Sequence, residues 1–170
     1  MASLMDNLLD VLNEEESQYR DLITLSEEKK DVLIRADIER LQQITEAEQN
    51  ITDELHNLEM KRRTVISDMA AVLRRDKSEL TVERMIEILS NQPEEQKKLI
   101  EVRTRLRSTL DEMIRINSQN QVLINQAMEM VEFDLTLFRS MRQAPETANY
   151  GRDAANTGDL LGGGGFDAKQ

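Results

Sequence analysis

The chain holds one imidazole, His56, and Asp53 precedes it by three residues, a spacing that sets two metal ligands on one helix face. A di-iron bundle needs two Glu-x-x-His pairs and further carboxylates, which one approximate pair does not supply. A hydrated His on a polar face is the reading that follows. A Ser-His-Asp triad would also have to use His56, and no nucleophile elbow accompanies it. With no Cys there is no thiolate zinc site, disulfide framework or cysteine nucleophile. The run Glu14-Glu15-Glu16 lacks the Gly and alternating oxygen ligands of a calcium loop. Consecutive helical residues point to different faces, so this run is read as hydrated surface. No catalytic residue, metal site or cofactor is assigned, and the chain is not expected to be an enzyme.

The basic clusters are Lys61-Arg62-Arg63, Arg74-Arg75 and Arg103, Arg105 and Arg107. Acids at helical spacing stand beside them, Glu59 with Arg63, Glu101 with Arg105 and Asp111 with Arg115, which predicts salt-bridged faces. No aromatics interleave as stacking platforms for nucleic acid. With 33 acidic and 22 basic residues the net charge is −11, unfavourable for phosphate backbones and anionic lipid. No apolar run approaches the ~20 residues of a membrane span. The N-terminal residues lack the basic and apolar blocks of a signal peptide. A soluble chain is expected.

All six Gly lie at or beyond Gly151, and the two Pro are Pro93 and Pro145. A Gly-free stretch of 150 residues argues for long helices, because sheet-rich folds need Gly in their turns. Helix 1 is predicted from Ser3 to Arg35, with Met5, Leu8, Leu12, Tyr19, Leu22 and Leu33 on one face. Glu15, Ser26 and Lys29 interrupt that seam. Asp37 is placed to cap a second helix that begins at Ile38. The chain either reverses at Arg35-Ala36-Asp37 or continues as one helix. The second seam runs from Ile38 through Ile44, Leu58 and Met69 to Val72. Ser78 or Thr81 caps a short helix, and Pro93 opens the last long one, which runs to about Arg142. Its seam alternates three and four without a slip: Leu99, Val102, Leu106, Thr109, Met113, Ile116, Asn120, Leu123, Ala127, Met130, Asp134, Leu137, Met141.

The expected fold is all-α, an antiparallel bundle of three long coiled-coil-like helices with a short connecting helix. Residues 1–142 form the bundle and 143–170 a disordered Gly-rich tail.

Between Leu123 and Met141 the apolar residues exceed what one seam needs. At ~100° per residue they cover roughly 180°, and Phe133 widens the arc to roughly 220°. Two of the three Phe lie here. The surplus marks a partner-binding face of Met128, Val131, Leu135 and Phe138, flanked by Ile124 and Phe133. Homo-oligomerisation, a homodimer in the simplest case, is the alternative use of the same face. Asn117, Asn120 and Asp134 fall on the packing side, where an unpaired carboxylate is costly.

Three segments carry a resemblance to a known family. They are Leu33-Ile34-Arg35-Ala36-Asp37-Ile38-Glu39-Arg40-Leu41, then Asn117-Ser-Gln-Asn120-Gln-Val-Leu-Ile124 running on to Phe138, and last Asn149-Tyr150-Gly151 with Phe166-Asp-Ala-Lys169. The chain resembles the FlgN-type flagellar export chaperones. The resemblance implies a cytoplasmic, non-enzymatic helical chaperone. Its clients would be the hook–filament junction proteins FlgK and FlgL, whose C-terminal helical segments it would hold and deliver to the flagellar type III export gate. The family's client-binding region, carried over by position, is Leu123 to Met141, and Tyr150 would dock at the gate.

Overall fold

The computed structural model describes residues 2–143. In chain order these form α1 (Ala2–Arg35), α2 (Ile38–Leu73), a 3-10 turn (Lys77–Glu79), α3 (Val82–Ile88), a second 3-10 turn (Leu89–Asn91) and α4 (Pro93–Gln143). No strand occurs among the described residues. The chain divides into two units, Met1–Ala127 and Met128–Gln170. The expected tail lies outside the described residues.

The reversal between α1 and α2 is real, and it is made without Gly. The Asp37 amide donates to the Val32 carbonyl and the Ala36 amide to the Leu33 carbonyl, the paired bonds of a Schellman stop. Ala36 takes the left-handed conformation at φ 55°. Asp37 then accepts from the Arg40 amide at 3.0 Å and starts α2. Helix α2 stops the same way, with Arg75 donating to the Ala70 carbonyl, Arg74 to the Ala71 carbonyl, and Arg74 at φ 51°. Thr81 caps α3 through the Arg84 amide at 3.1 Å, and Asp76 caps the turn before it.

Side-chain bonds fix the register in the first unit. Arg40 grips Glu28 with Nε at 2.6 Å and Nη2 at 2.9 Å, Lys29 meets Glu48 at 2.7 Å, and Arg62 meets Glu15 at 3.1 Å. From Glu28 with Arg40 to Glu15 with Arg62 the α1 number falls as the α2 number rises, so these two helices run in opposite directions. Between α1 and α4 the numbers rise together: Asn13 with Arg105, Glu16 with Thr109, and Ser26 with Asn120. The offsets are 92, 93 and 94 residues.

The core of this unit gathers Met5, Leu8 and Leu12 of α1, Met69 and Ala70 of α2, Met85 of α3, and Leu99, Val102 and Leu106 of α4. The seven-residue α3 cannot persist alone. Met85 and the following Leu89 hold it by burial against the long helices. Three expectations are corrected. Ile38 and Val72, at the ends of the α2 seam, are exposed, and Val32 rather than Leu33 is the buried residue near the end of α1. Glu15 and Glu16 are buried, not hydrated surface: Glu15 pairs with Arg62, and Glu16 with Arg20 at 2.6 Å and Thr109 at 3.4 Å. Ser26 is fully buried because its short side chain lets Asn120 reach its carbonyl.

Candidate partner-binding face

The α4 seam is buried at every position from Leu99 through Val102, Leu106, Thr109, Met113 and Ile116 to Asn120. Leu123 and Ile124 are half-buried, and from Asn125 to Gln143 each residue is exposed. Within the first unit the bonds between α1 and α4 run from Asn13 with Arg105 to Ser26 with Asn120.

In the second unit the apolar residues on α4 are Met128, Met130, Val131, Phe133, Leu135, Leu137, Phe138 and Met141, all exposed. Phe133 and Phe138 show 67% and 66% of their surface, where a core aromatic shows almost none. Contiguous exposed apolar surface of this kind marks interaction sites in soluble proteins. Of the residues singled out from sequence, Met128, Val131, Phe133, Leu135 and Phe138 therefore lie on one exposed stretch. Ile124 belongs to the first unit, where it walls a cavity of about 390 Å³ together with Leu22, Lys29, Glu48 and Asn117. Tyr150 lies outside the described residues.

Met130, Leu137 and Met141 join the exposed stretch although the sequence pattern put them in the self-packing seam. Their spacing continues that of the buried seam, so nothing in the sequence pattern separates them. Asp134 is exposed and so carries no burial cost, and Asn117 is also exposed. Asn120 alone of the three is buried, and its Oδ1 has no hydrogen-bond partner.

His56 is exposed, and Asp53 accepts from Gln49 Nε2 at 2.9 Å. Among the described residues no group of three or more His, Cys, Asp or Glu is positioned to hold a metal ion. Glu59 pairs with Arg63 at 2.6 Å as expected. Arg105 turns instead to Asn13 and Glu16, and Arg115 to Glu112. Arg103 meets Glu83 of α3 at 3.0 Å. Burial pushes the Glu15 carboxyl above its ordinary value, with Arg62 opposing and Glu59 adding to the rise. The hydrogen bonds from Arg40 hold Glu28 below the usual carboxylate range. No described helix is long and apolar enough to cross a membrane.

The described residues thus form long Gly-free helices, and the last of them leaves its apolar residues from Met128 to Met141 exposed. The family model described as FlgN protein matches residues 1–158, and the chain belongs to the FlgN family. That family is one of flagellar export chaperones. No curated protein matches the chain, and no solved structure matches it.

Proposed function

We infer that the protein is a cytoplasmic chaperone for the hook–filament junction proteins FlgK and FlgL, holding their C-terminal helical segments until delivery to the type III export gate. In this reading residues 1–142 act as an antiparallel bundle of three long helices, with Tyr150 contacting the gate. An amphipathic client helix would lay its apolar face over Met128, Val131, Leu135 and Phe138, flanked by Ile124 and Phe133. Apolar burial contributes ~25 cal/mol per Å² before ordering costs, so a patch of this kind holds a client reversibly. The observation that supports the reading is the exposure of the apolar residues from Met128 to Met141.

The test is the double variant Val131→Asp with Phe138→Asp, probed with purified FlgK and FlgL. Unchanged helical circular dichroism with loss of capture supports the reading, and normal capture by a well-folded variant ends it. Light scattering across concentration separates the homodimer: a mass that doubles, and no longer doubles in the variant, assigns the face to a second copy instead.

A further inference from the structure

We propose that a second copy of this chain pairs with α4 in the antiparallel direction, through a seam of Val131, Leu135, Phe138 and Arg142, in a register chosen by Glu132 and Arg139. The pairing concerns two free chains and does not rest on the client-binding reading.

The four seam residues follow one another at spacings of four, three and four. At ~100° per residue they fall within about 60° of one another, a single narrow stripe of the helix. All four are exposed. Glu132 and Arg139 flank the stripe on one side, Asp134 and Met141 on the other, and these are exposed as well. No ion pair joins Glu132, Arg139 or Arg142 to another described residue. Their charges are left to water or to a partner.

Charge decides how two such seams meet. In a parallel pair each seam residue faces its own copy, which would set Arg142 against Arg142 inside the seam. An antiparallel pair centred on Phe133 would give wholly apolar layers, Met128 on Phe138 and Val131 on Leu135. Flanking residues on the same side of two antiparallel helices meet each other, so that register would put Glu132 against Glu132 and Asp134 against Asp134. Sliding one helix by a heptad moves the two-fold axis to between Thr136 and Leu137. Leu135 then packs on Phe138 of the second copy, and Arg142 lays its aliphatic stem on Val131. Glu132 now faces Arg139, and the two-fold makes each of these contacts twice. Opposite charges fix this register, and like charges reject the other two. From Val131 to Arg142 the helix rises about 17 Å. A seam that short falls below the ~1,200–2,000 Å² of a standard stable interface, so the pair forms and parts reversibly.

The test measures the mass of the full chain by sedimentation equilibrium from micromolar to millimolar concentration. The wild type is expected to pass from single to double mass. Glu132→Arg opposes Arg139 with a second cation and should move the midpoint at least about ten-fold higher in concentration. Glu132→Arg with Arg139→Glu should restore it, both variants keeping the helical circular dichroism of the wild type. Because the sequence has no Cys, single cysteines report the register. An equal mixture of Glu132→Cys and Arg139→Cys chains is expected to join through a short bismaleimide. Either chain alone is not, since two copies of one of these positions lie a heptad apart along the axis, ~10 Å. Single mass throughout, an unmoved midpoint in Glu132→Arg, no recovery in the exchanged pair, or cross-linking within one variant alone overturns the proposal. Mass decides the pairing and capture decides the client. A chain that stays single and captures FlgK ends the first; a chain that doubles and captures neither FlgK nor FlgL ends the second.

Discussion

Asn120 donates from Nδ2 to the main-chain carbonyl of Ser26 at 2.7 Å, while its own Oδ1 is buried with no partner. The amide therefore ties α4 to α1 at one position and carries the desolvation cost of an unmatched acceptor. Ser26 adds to the polar layer, its hydroxyl lying 3.5 Å from both Glu48 and Asn117 with one proton to give. A buried amide of this kind fixes register at the expense of stability.

Asn120→Leu should accordingly raise stability by about 1 kcal/mol, because it removes the orphaned oxygen and the Ser26 carbonyl keeps its helical bond. For a chain of this size that is a rise of about 2–4 °C in Tm. Asn120→Asp should lower stability by about 2 kcal/mol or more by putting a charge where no donor waits. Thermal melts of the two variants in parallel decide the matter.

The two helix stops predict a gain from glycine. Ala36 and Arg74 hold left-handed backbone that costs a residue with a Cβ roughly 1–2 kcal/mol. Ala36→Gly should stabilise by about 1 kcal/mol, whereas Asp37→Ala, which removes the cap on α2, should cost about 1 kcal/mol. Urea midpoints moving in opposite directions at unchanged slope are the expected result.

Glu15 makes stability depend on pH in the less common direction. Its folded pKa is raised above the ordinary 4.5, so the folded state keeps the proton longer than the unfolded chain. Stability from this group is then greatest below 4.5 and falls as pH rises through the folded value. Glu15→Gln should remove that fall and leave a flatter profile in the mildly acidic range. Arg62→Met should steepen it, since Arg62 is the group that offsets the burial cost. Chemical denaturation at a series of pH values reads both slopes.

Core and face should respond differently to truncation. Leu99→Ala removes a fully buried side chain and should cost about 2–5 kcal/mol. Phe133→Ser with Phe138→Ser touches only exposed rings and should stay within about 0.5 kcal/mol per site. A large loss in the second pair would mean that those rings are structural after all.

Local chemistry was readable from the sequence. Asp37, Thr81 and Pro93 each mark a helix start because a cap or an imino residue acts on its immediate neighbours. The reversal at Ala36 stayed ambiguous, since the Gly that usually announces such a stop is replaced by Ala. Buried Glu15, Glu16 and Ser26 were not readable: their polarity argues for surface, and Arg62 and Thr109 stand 47 and 93 residues away from Glu15 and Glu16. The exposed face was visible as an apolar surplus. Its membership was not, because Met130, Leu137 and Met141 continue a seam whose spacing does not change where burial stops.

Within the first unit the offset between α1 and α4 drifts from 92 to 94 residues between Asn13 and Ser26. Deleting one residue of α1 between those two positions would turn every later side chain of that helix by ~100°. Ser26 would then swing away from Asn120 while Asn13 stayed beside Arg105, so a single lost residue unlatches one end of the pair and spares the other.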